Sequence, residues 1–129
     1  MSDIKYIQHL MLLFLVGLQI FEFSNAQNCL SCGALPKLVA PPGGGTVDGA
    51  GSVVESIDAG TGCKRYDVTC NAKGFKTVVM GANQQAIQLS QASIGKKTAV
   101  LLCNNDGVIE GCNLSDGSVF VTSIYCSTT

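Results

Sequence analysis

Gly62-Cys63-Lys64-Arg65-Tyr66-Asp67-Val68-Thr69-Cys70 is the stretch whose reading decides the fold. It leaves a turn at Thr61-Gly62 and then alternates. In an extended chain Tyr66, Val68 and Cys70 fall on one side, and Arg65, Asp67 and Thr69 on the other. The apolar side ends in a thiol, so the segment is expected to be a central strand and the anchor of a covalent framework.

The segments around it are read in the same way. Ser52–Ile57 is the first regular strand. Asn71–Gly74 is a turn, which predicts a hairpin between the Cys63–Cys70 strand and Phe75–Met80. In the 81–93 segment, Ala86, Ile87, Ser90 and Ile94 fit a helix, while Ile87 and Leu89 alternating with glutamines fit a strand. Gly81 and Gly95 on either side favour short strands. Thr98–Cys103 is a nearly unbroken apolar run, as in a strand buried on both faces, and Asn104-Asn105-Asp106-Gly107 is a turn signal. Val108-Ile109 starts a return strand. Gly111–Gly117 reads as a loop holding Cys112. Val119–Cys126 closes the chain as one strand, with Phe120, Ile124 and Cys126 on a shared face. Pro36–Gly51 holds all 3 prolines of the chain and is expected to cross one edge of a sheet as a loop. About seven short strands with thiols at their ends predict an all-β fold. The expected form is a small disulfide-stapled antiparallel β-sandwich, immunoglobulin-like in general architecture.

The N-terminal segment is read separately. The apolar run Leu10–Leu18 follows Lys5, and Ser24-Asn25-Ala26 has the small residues a signal peptidase accepts. Residues 1–26 are therefore expected to be a removed signal peptide. Residues 27–129 are expected to form a single secreted, extracellular domain with no membrane span. In that part seven Lys and Arg balance seven Asp and Glu. Zero net charge argues against nucleic acid or an anionic membrane as partner. The only histidine, His9, leaves with the signal peptide, so no imidazole remains for a nucleophile pair or a zinc site. No catalytic, cofactor or metal residue is expected. The nearest candidates are the carboxylates Glu55, Asp58 and Asp67, which would serve a carboxylate-based hydrolase. Lys64, Arg65, Lys73 and Lys76 border the same strand and would suit an acidic glycan.

All 7 cysteines lie in the mature part: Cys29, Cys32, Cys63, Cys70, Cys103, Cys112 and Cys126. In an oxidising compartment they are expected to form disulfides. Cys29-Leu30-Ser31-Cys32 lacks the helix of a redox motif and the second pair of a zinc knuckle, so it reads as structural. One sulfur is left over, and about 100 pairings are open. The choice for the odd thiol is Cys112, free or bonded to a second chain as a disulfide-linked dimer. The competing choice puts Cys112 in the internal framework in place of Cys32 or another. Asn113-Leu114-Ser115 is the sole glycan acceptor triplet of the mature part.

These residues resemble the nematode extracellular six-cysteine domain, a family of unknown function. The shared features are Cys-x-x-Cys after a signal peptide, a Pro/Gly loop, and a Gly-Cys strand ending in Cys seven residues on. An apolar strand into Cys-Asn-Asn-Asp-Gly and a last strand ending in Cys complete them. The resemblance covers Cys29 to Cys126. It implies that Cys29, Cys32, Cys63, Cys70, Cys103 and Cys126 are the framework, with Cys29 bonded to Cys63. Val108 stands where relatives often carry Trp, and Cys112 is additional. A lesser resemblance, through Gln27–Cys32, is to three-finger domains of the urokinase-receptor type, whose terminal cysteine cluster is absent here. The expected function is a non-enzymatic binding or structural module for an extracellular protein or glycan.

Overall fold

In the computed structural model, which describes residues 28–43 and 45–129, the central stretch alternates as its pattern requires. Tyr66, Val68 and Cys70 are buried, with Tyr66 at 0 % exposure. Arg65, Asp67 and Thr69 are half-buried on the opposite face. The expected signal peptide lies outside the described residues.

Ten strands follow in order: β1 (Val47–Asp48), β2 (Gly51–Ile57), β3 (Lys64–Cys70), β4 (Thr77–Ala82), β5 (Ile87–Gln88), β6 (Ser93–Ile94), β7 (Lys97–Cys103), β8 (Ile109–Cys112), β9 (Ser118–Phe120) and β10 (Ile124–Thr128). They form two five-stranded antiparallel sheets. One runs β1-β10-β4-β5, with β6 also on β4; the other runs β2-β3-β7-β8-β9. The fold is all-β and disulfide-stapled. The 81–93 segment contributes short strands, β5 and part of β6, and no helix.

The inward rows of both sheets meet in one core. Tyr66, Val68, Leu101 and Ile109 from the second sheet pack with Val78, Met80, Ala82 and Ile124 from the first. Each fully buried aliphatic side chain of this kind contributes about 1.5–3 kcal/mol. Across the middle Cys70 is bonded to Cys126, with Cα atoms 5.5 Å apart, so one covalent bridge joins the two sheets. Gly51 runs over that bridge. A Cβ on Gly51 would strike Cys126 Sγ and the Thr69 carbonyl oxygen, so the close approach requires glycine there. Gly81 plays the same part on the other sheet, where its bare Cα lies beneath the ring of its cross-strand partner Tyr125.

The Pro/Gly segment runs along the edge of β10. Leu38 N donates to Ile124 O at 2.8 Å, Ile124 N to Pro36 O at 3.0 Å, and Gly49 N to Cys126 O at 2.8 Å. Short β1 continues that edge against Ser127 and Thr128.

Four expectations about neighbours are overturned. β3 and β4 are not a hairpin. Both sides of β3 are taken, by β2 and β7, so the chain crosses to the other sheet after Cys70. β7 is not buried on both faces: Val100 is 48 % exposed, because only its inner side faces the second layer. The closing segment is two strands in different sheets, β9 and β10, and Phe120 is 61 % exposed rather than on the face of Ile124 and Cys126. Asn83 makes the break between them. It has a φ of 61°; its Oδ1 accepts from Thr122 N and Oγ1, and its Nδ2 donates to Phe120 O at 2.8 Å. Finally, Cys112 belongs to β8 rather than to a loop.

Candidate functional site

The pleat of the second sheet puts Val54, Arg65, Asp67, Val100, Leu102, Glu110, Cys112 and Phe120 on its outer side. The register sets Val54 beside Asp67 and Asp67 beside Val100. Extended one step along β7 and β8, it sets Val100 beside Cys112, which is paired in turn with Ser118. The adjoining row is Arg65, Leu102, Glu110 and Phe120. A groove of about 520 Å³ opens among Thr61, Cys63, Val100, Leu102, Glu110 and Cys112. Its apolar floor comes from β7 and its rim carries one carboxylate and one thiol.

The carboxylate is fixed. Glu110 Oε1 accepts from Ser118 Oγ at 2.6 Å and Oε2 from Asn104 Nδ2 at 3.0 Å. Those hydrogen bonds, the Ser118 one foremost, hold the Glu110 carboxyl below the usual carboxylate range. Asn104 is available for this because its Oδ1 accepts from Asp106 N and Val108 N, which also shapes the Asn-Asn-Asp-Gly turn. The thiol is Cys112. It is exposed and is the unpaired cysteine of the described residues.

The other six cysteines form three bridges. Cys29 is bonded to Cys63, the pair implied by the six-cysteine resemblance, and Cys32 to Cys103. The two cysteines of Cys-x-x-Cys thus tie the N-terminal segment to the turn leading into β3 and to the end of β7. Lys64 Nζ adds a hydrogen bond to Cys32 O at 2.8 Å.

The acids proposed for a hydrolase are not brought together. Glu55 pairs with Lys64 at 3.3 Å on the inner side of the sheet. On the outer side Asp58 and Asp67 both contact Arg65, at 3.3 and 2.9 Å. Asp58 is held below its ordinary value chiefly by the Thr61 hydroxyl and amide, with Arg65 adding to this. Arg65 is held more firmly protonated by Asp67 and Asp58. The basic set is likewise dispersed. Lys64 and Arg65 lie at one end of β3, Lys73 and Lys76 beyond the other, about 17 Å or more along the strand. Among the described residues no cluster of His, Cys, Asp and Glu could hold a metal ion, and no helix is long and apolar enough to cross a membrane.

Asn113 sits in the β8–β9 turn. Its Oδ1 accepts from Ser115 N at 3.0 Å and Gly117 N at 2.9 Å, while its Nδ2 has no hydrogen-bond partner among the described residues. The apolar residues of the outer face, Val54, Val100, Leu102 and Phe120, were not singled out from sequence. These residues come from three strands, β2, β7 and β9, and only the register sets them on one face. No family model, curated protein or solved structure matches this chain.

Proposed function

We propose that this chain is a secreted, disulfide-stapled interaction module of the extracellular six-cysteine type, joined covalently to a second copy of itself through Cys112. The observation that supports this reading is the placement of Cys112. Six sulfurs are closed into bridges that rigidify the two sheets, while the seventh is exposed on a strand, beside Val100 and diagonal to Phe120. A rigid strand presents the sulfur in a fixed direction, and Val100 and Phe120 supply apolar area for a partner to cover. Joining two Cys112 thiols releases two protons and two electrons, which a disulfide-bearing oxidant of the secretory pathway accepts. The acids near β3 serve Arg65 and Lys64, and the lysines are dispersed, so neither catalysis nor glycan binding is the favoured role. The cysteine spacing is what supports the family reading.

Non-reducing electrophoresis of the exported protein tests this. The wild type should run as a dimer that reductant converts to monomer, and Cys112→Ser should be a folded monomer in the same gel. A monomeric wild type, or a Cys112→Ser variant with scrambled bridges, would overturn the proposal.

A further inference from the structure

The second sheet has one long edge that no strand of the described residues covers, and we propose that β2 pairs there with β2 of a second copy, antiparallel and centred on Val54. The proposal is independent of Cys112.

The backbone determines which groups are free. Asn71 N donates to Ala50 O and Asp58 N to Cys63 O, both at 2.8 Å. In an antiparallel ladder the hydrogen-bonded pairs alternate, and β2 and β3 pair without a bulge from Gly51↔Cys70 to Ile57↔Lys64. Ser52, Val54 and Ser56 therefore spend their N–H and C=O groups on β3. Gly51, Val53, Glu55 and Ile57 turn theirs to the outside, where no strand of the described residues pairs with them.

Sheet edges in monomeric proteins are protected by shortness, by charged or inward-pointing charged side chains, by proline or by a bulge. The other edge strands here have only two or three residues. β2 has 7 residues, Gly-Ser-Val-Val-Glu-Ser-Ile, with no proline, lysine or bulge and a single inward-facing charge, Glu55. It also leaves Val54 58 % and Ile57 60 % exposed. The one charge, Glu55, is already paired with Lys64.

The segment is complementary to itself. With the two-fold axis at Val54, Val53 meets Glu55 and Gly51 meets Ile57 of the other copy. All four outward-facing residues are then used, making about eight inter-chain hydrogen bonds. Val54 meets Val54, and Ser52 meets Ser56, on the outer face. Centring on Glu55 would oppose two carboxylates, and centring on Val53 would leave Ile57 unpaired. The result is a continuous sheet with an isologous interface.

This edge cannot share a partner copy with Cys112. β8 lies three strands from β2, so the two Cys112 residues of an edge-paired dimer are about 34 Å apart. A disulfide requires Cα atoms within about 7 Å. Edge pairing and the Cys112 bridge therefore join different copies, and together they build assemblies larger than a dimer.

The test uses Cys112→Ser throughout, so that a missing Cys112 bridge and a missing edge pair are told apart. Light scattering across a concentration series should show a reversible dimer. Adding Val54→Lys, or adding Val54→Glu, should weaken dimerisation at least tenfold, because residue 54 faces itself. An equimolar mixture of the two should restore it. Hydrogen exchange in the parent Cys112→Ser protein gives a second readout: the amides of Val53, Glu55 and Ile57 should become protected with concentration, while those of Ser52, Val54 and Ser56 are protected at all concentrations. A protein that stays monomeric overturns the proposal. So does a dimer whose Val53 and Glu55 amides exchange freely, or one that tolerates Val54→Lys unchanged.

Discussion

Asn83 reaches Thr122 across 39 residues of sequence, accepting its amide at 2.8 Å and its hydroxyl at 3.1 Å through one oxygen. The same amide group donates to Phe120 O. These three bonds hold the chain where it leaves one sheet for the other, between β9 and β10. Asn is suited to the post, since it tolerates the left-handed backbone better than most residues and carries a donor and an acceptor. Asn83→Gly should keep the backbone and lose the clamp, costing about 1–2 kcal/mol. Asn83→Ala should cost more, because it adds left-handed strain to the lost bonds. Denaturant unfolding of the two variants checks the order; equal losses would place the whole effect in the clamp.

The three bridges close loops of 34, 71 and 56 residues. A bridge over loops of that size contributes about 4 kcal/mol by restricting the unfolded chain. A small domain has only about 5–15 kcal/mol in total. Losing all three should therefore abolish cooperative thermal unfolding near room temperature. Replacing Cys70 and Cys126 together by Ala should cost about 4 kcal/mol and leave a folded protein. A reduced protein with an unshifted transition would show that the core of Tyr66, Met80, Leu101 and Ile124 suffices alone.

The part of this fold legible in the sequence is the part set by local periodicity. Tyr66, Val68 and Cys70 alternate with polar residues, and the strand and its buried side follow. The Asn104–Gly107 turn is equally local, since Asn104 forms it with its own side chain. What alternation does not carry is the identity of the neighbour. A turn after Cys70 looks the same whether the next strand pairs back or crosses to the other layer. Val119–Cys126 is apolar apart from Thr122 and Ser123, which would fit one continuous strand, and the break there is clamped by Asn83, nearly forty residues away. Candidate-site legibility divides in the same way. Cys112 could be picked out as the odd thiol because the other six cysteines fit the six-cysteine pattern, but its place on β8 beside Val100 and Phe120 depends on the register of β7, β8 and β9.

Asn113 should carry a glycan when the protein passes through a eukaryotic secretory pathway. Its Oδ1 is engaged by Ser115 N and Gly117 N, which orders the turn, while Nδ2 is left for the transfer reaction. Endoglycosidase should lower the mass of the exported protein. Ser115→Ala is the clean control: only the Ser115 amide joins the turn, so this change removes the acceptor triplet and keeps the fold. No mass change in the wild type on digestion would refute the prediction. Asn113→Ala should also destabilise the turn, by about 1 kcal/mol.

The last prediction concerns alkaline pH. Tyr66 and Tyr125 are the tyrosines of the described residues. Both are buried, and burial pushes each phenol above its ordinary value of 10.0. For Tyr66 the nearby Lys64 ammonium works the other way without cancelling the shift. Each hydroxyl also donates to a backbone carbonyl, Tyr66 to Gly33 O and Tyr125 to Gln85 O, and ionisation would forfeit that bond. A raised folded-state value means that the native protein holds these protons more tightly than the unfolded chain does. The stability this supplies is complete below about pH 10 and is lost as pH rises through the folded-state values. Tyrosinate absorbance of the native protein should therefore lag behind that of the unfolded chain as pH rises, and its appearance should accompany loss of the native circular dichroism. Tyr66→Phe should remove one of the two ionisations and reduce the loss of stability at high pH. Tyrosinate appearing at the ordinary value in a fully native protein would show that neither phenol is enclosed as described.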